Sequence, residues 1–122
     1  MAAELSYQSR VEKWLETCIS LSAISGRSER IHRFPEEALE LAQANDGSRD
    51  DARALVNYVS GRASGRPEPE IGGVMVALAG LCSAPDINMS KAGKRERERN
   101  WDRIDLIQAK QLSQPHGSPL PQ

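Results

Sequence analysis

The segment Phe34-Pro35-Glu36-Glu37-Ala38-Leu39-Glu40-Leu41 places three carboxylates within five residues. In a helix, Glu37 and Glu40 stand one turn apart on a shared face, and Arg33 and Ala44 extend the same row. Glu36 lies about 100° round the helix from that row. Carboxylates at the edge of an apolar stripe are partly desolvated and repel one another. A divalent cation relieves both problems, and hard oxygen donors are what magnesium prefers. The spacing equally fits an exposed acidic helix start favoured by the helix dipole. Glu70 is the second feature, because it leads into the apolar run Ile71–Cys82. A carboxylate there gains from a cation or an arginine, or simply from the dipole at a helix start. Bundles build metal sites from glutamates on facing helices, so the two features together say more than either alone.

The elements that would hold these residues read as five helices, with no convincing strand. Tyr7, Val11, Trp14, Leu15, Cys18 and Ile19 recur at helical spacing as the apolar stripe of the first. A second runs from about Ser28 to Asn45, with Ile31, Phe34, Ala38, Leu41 and Ala42 as its buried face. Pro35 either kinks this segment or opens a helix near Phe34, since proline removes one backbone bond. After the turn Asn45-Asp46-Gly47, Ser48 caps a third helix with Asp51 three residues on. Leu55, Val56 and Val59 give it a short apolar face. A Gly- and Pro-rich connection, Gly61 to Pro69, follows. The fourth helix, Pro69 to Ala84, is apolar on every side and is expected to be central, with a second subunit adding cover. Gly72 and Gly73 each cost it about 1 kcal/mol relative to Ala, which points to the close approach of a backbone or ligand. Ser90 begins the last helix, charged over Lys91–Arg99 and amphipathic through Trp101, Ile104, Ile107 and Leu112. One domain over 1–114 and a mobile Pro-rich tail over 115–122 are expected.

With 122 residues, 39% of them hydrophobic and 27% charged, the chain suits one globular domain rather than a disordered one. Aromatics are only 4%, so aliphatic helix packing is favoured over a β-sandwich. The net charge of -1 gives no global reason to bind nucleic acid or an anionic membrane. Any phosphate chemistry must therefore rest on a local cluster or a cation. The start MAAELSYQSR does not read as a secretory leader, and the longest apolar stretch is too short to span a bilayer. Cys18 and Cys82 fall in apolar stretches and read as buried free thiols, so a cytoplasmic location is expected.

Taken in order, EExxE, a spacer of a few tens of residues and then ExxD opening another helix resemble the MazG-like, all-α nucleoside triphosphate pyrophosphohydrolases. The first half stands here as Glu36-Glu37-Ala38-Leu39-Glu40. The second reads Glu70-Ile71-Gly72-Gly73, with Gly73 where the family has Asp. Arg30 to Ala44, Glu70 to Cys82, the closing SPLPQ and the pattern around Gln8, Arg10, Val11 and Trp14 are similar to a short bacterial and phage subgroup. The resemblance implies a four- to five-helix bundle completed as a homodimer or homotetramer. It also implies magnesium held by Glu37, Glu40 and Glu70, catalytic roles for Glu36 and Glu37, and cleavage of a nucleoside triphosphate to monophosphate and pyrophosphate. Gly73 leaves three consequences open. Glu68 supplies the missing carboxylate, or a single metal suffices, or catalysis has been lost while nucleotide binding remains.

Other residues are of types suited to the same chemistry. In similar proteins basic residues of the last helix reach the substrate phosphates, which singles out Lys91, Lys94 and Arg95. Their alternating-sign run fits a solvated face with internal ion pairs as well. Trp14 can stack on a base, although its place in an apolar stripe fits a core residue. His32 and His116 form no nucleophile–base pair, and neither a Gly-rich phosphate loop nor a zinc-spaced Cys/His set is present.

Overall fold

The computed structural model describes residues 5–18 and 27–112. Among them every regular element is a helix, and there are no strands. Its elements are α1 (Tyr7–Cys18), α2 (Arg27–Ala44), α3 (Arg49–Ser60), α4 (Pro67–Ser83), α5 (Met89–Asp102) and α6 (Ile104–Leu112). No helix among the described residues is long and apolar enough to cross a membrane. Ile19 and the tail from Pro115 lie outside the described residues.

Local sequence accounts for most helix ends. Pro35 sits inside α2, which runs through it as one helix. The proline leaves the carbonyl four residues back without its helical donor, at a cost of about 3 kcal/mol if nothing replaces it. Ile31, which owns that carbonyl, is 52% exposed. The end of α2 is closed by Gly47 N–H donating to the Ala42 carbonyl at 2.8 Å, with Asp46 at φ 65°. Ser48 caps α3, its hydroxyl accepting from Asp51 N–H at 3.1 Å. The helix α4 opens two residues earlier than Pro69, with Pro67 at its first position, where a missing N–H costs nothing. It ends with Asp86 at φ 56° and Ile87 N–H donating to the Cys82 carbonyl at 2.8 Å. The expected single last helix is two, parted at Arg103.

The residues form two compact units, one reaching up to Glu36 and resuming at Lys91, the other Glu37–Ser90. In the first, α1 packs on α6, and Gln108 Nε2 donates to the Cys18 carbonyl at 2.8 Å. Tyr7 donates its hydroxyl to the Gly93 carbonyl of α5 at 2.9 Å. A Cβ on Gly93 would lie 3.1 Å from that hydroxyl, so glycine is what lets the ring come so near. Val11, Trp14, Leu15, Ile104 and Ile107 are half-buried around this junction, and Cys18 is fully buried.

The second unit holds the rest of α2, then α3 and α4, and here the expected core is corrected. Val76 is 75% exposed, and Ile71 and Met75 are 60% exposed each; of α4 only Leu78 and Cys82 are even half-buried. Leu55, Val56 and Val59 of α3 are exposed as well. On α2 the whole expected face, Ile31, Phe34, Ala38, Leu41 and Ala42, is exposed rather than buried. The physical reason is plain: a helix apolar all round needs neighbours on every side, and within its own unit α3 and the rest of α2 do not pack closely on α4. Cys82, expected to be buried, is only partly so.

Candidate functional site

The carboxylates sit on two helices of the unit Glu37–Ser90, with Glu36 just before it. Glu37 and Glu40 lie in the continuous stretch of α2 beyond Pro35, one turn apart on one face. Both are exposed. Glu36 points elsewhere. Its carboxylate accepts from Arg33 at 3.4 Å, and the two side chains are 29% and 27% exposed. That pair turns Glu36 toward Arg33.

Glu70 stands in the first turn of α4, where a carboxylate is favoured by the free amides and the dipole. Its N–H donates to the Arg66 carbonyl at 3.3 Å, and its side chain folds back over Gly65. A Cβ on Gly65 would collide with the Glu70 carboxylate, so the glycine makes room for it. Beside it an open depression is lined by Arg66, Pro67, Glu68 and Pro69. Glu68, the alternative carboxylate, lines that depression. Gly73, one turn on, has nothing within 4 Å of an added Cβ.

Among the described residues no three His, Cys, Asp or Glu side chains come together closely enough to hold a metal ion. Glu37, Glu40 and Glu70 therefore do not make a three-ligand site within one chain. Two exposed carboxylates on a single helix face bind a hard cation weakly, since magnesium demands a near-octahedral oxygen shell. As a single chain, the residues do not fit the ion.

The expected substrate contacts lie in the other unit. Lys94 pairs loosely with Glu98 at 4.0 Å, and Arg99 with Glu96 at 3.0 Å, as a solvated face does. Lys91 and Arg95 are exposed on α5. Trp14 is half-buried, and its Nε1 is enclosed without a hydrogen-bond partner among the described residues. The Nε of Arg97 is in the same condition. Sequence reasoning missed the fold of Glu70 over Gly65, for which a glycine five residues before the glutamate was the available signal. It also missed the Arg62 guanidinium 4.4 Å from the centre of the Tyr58 ring, an i,i+4 pair on the end of α3.

Comparison of the chain with protein-family models, curated proteins and solved structures finds no match.

Proposed function

We propose that this protein is a MazG-like, magnesium-dependent nucleotide pyrophosphohydrolase that cleaves a nucleoside triphosphate to monophosphate and pyrophosphate and works as a homodimer or homotetramer. The observation that carries the reading is the order and placement of its acids. Glu37 and Glu40 share a face of α2, and Glu70 opens α4 within the same unit, in the order the family resemblance requires. Self-association is supported by the apolar side chains of α3 and α4 that one chain leaves uncovered. Exposed apolar side chains on successive turns of a helix are what an interface covers. On this reading the metal-binding carboxylates are brought together only in the assembled protein. The two free cysteines suit a reducing, cytoplasmic setting.

The test is pyrophosphate release from a panel of canonical and modified nucleoside triphosphates, with magnesium and with chelator. Metal-dependent release supports the enzyme. Its absence across the panel, beside a nucleotide-dependent thermal shift, supports a second reading in which the chain binds nucleotide or a partner without turnover. Two observations favour that alternative. Gly73 stands where the family has Asp, and no three ligands gather among the described residues. Because the space beside Gly73 is open, Gly73→Asp is a structurally permitted restoration.

A further inference from the structure

We draw no further inference here: the strongest candidate, the uncovered apolar surface of α4 around Met75 and Val76, has nothing in the structure to show what covers it beyond the self-association already proposed.

Discussion

Arg33 and Glu36 are paired across one turn of α2, guanidinium to carboxylate at 3.4 Å, and this sorts the acids of the EExxE segment into two groups. Glu36 answers to Arg33, while Glu37 and Glu40 share the adjoining face. An i,i+3 pair of this kind contributes less than about 1 kcal/mol. Glu36→Gln is therefore expected to lower the thermal midpoint only slightly. It should also slow pyrophosphate release less than Glu40→Gln does. Equal losses of turnover in the two variants would place Glu36 in the reaction centre despite its pairing.

Helix α2 ends through a backbone closure that a side chain at Gly47 cannot share. An added Cβ there would lie 2.8 Å from the Ala42 carbonyl oxygen, a backbone atom with little freedom to move. Gly47→Ala is expected to destabilise the fold by about 1–3 kcal/mol, within the range of backbone strain at a special position. Asp46 beside it holds φ 65°, a region better suited to glycine or asparagine. Asp46→Gly should therefore be neutral or mildly stabilising. Urea titrations of the two variants read both effects, and a Gly47→Ala protein as stable as the parent would refute the closure.

These local features show how far the sequence could be read. Ser48 with Asp51, the Asn45-Asp46-Gly47 turn and the helical periods of α1 and α3 were legible because capping and turn chemistry act over three or four residues. Pro35 was ambiguous since its cost depends on what replaces the lost backbone bond, which the neighbouring residues alone do not state. The burial of Ile31, Phe34 and Val76 was misread for a different reason. Periodicity reports which face is apolar, not whether one chain supplies the cover. For the site, the shared face of Glu37 and Glu40 followed from spacing. The turn of Glu36 toward Arg33 and of Glu70 over Gly65 depended on rotamers and loop geometry that no spacing rule encodes.

Burial pushes the Cys18 thiol above its ordinary value of 9.0, by desolvation of the thiolate. The unfolded chain then ionises first as the pH rises. The stability that this group contributes is full below about pH 9 and declines as the pH climbs through the folded-state value. Denaturant midpoints measured from pH 7 to pH 10 should fall at the alkaline end, and Cys18→Ala should flatten that fall. In the folded protein Cys18 should be alkylated much more slowly than when unfolded, since both its burial and its raised value withhold the thiolate. Rapid labelling of Cys18 under native conditions would contradict its place at the α1–α6 junction.

The uncovered face of α4 predicts an assembly in solution. Sedimentation should show a species of two or four chains, and Val76→Lys should shift it toward monomer while lowering the thermal midpoint. A surface lysine at a position exposed in the working protein changes stability by less than about 0.5 kcal/mol. A monomeric wild type, or a Val76→Lys variant indistinguishable from it in both readouts, would remove the assembly from the account.

The central claim is that Glu37 and Glu40 serve a magnesium-dependent cleavage, and the rate of pyrophosphate release by wild type and Glu40→Gln tests it most directly. Circular dichroism of both proteins should confirm that Glu40→Gln keeps the helices, as substitution at an exposed position predicts. The account predicts release by the wild type that chelator abolishes, and a loss of at least about a hundredfold in Glu40→Gln, the scale of a removed metal-site interaction. Undiminished release in Glu40→Gln, or release indifferent to chelator, would contradict it.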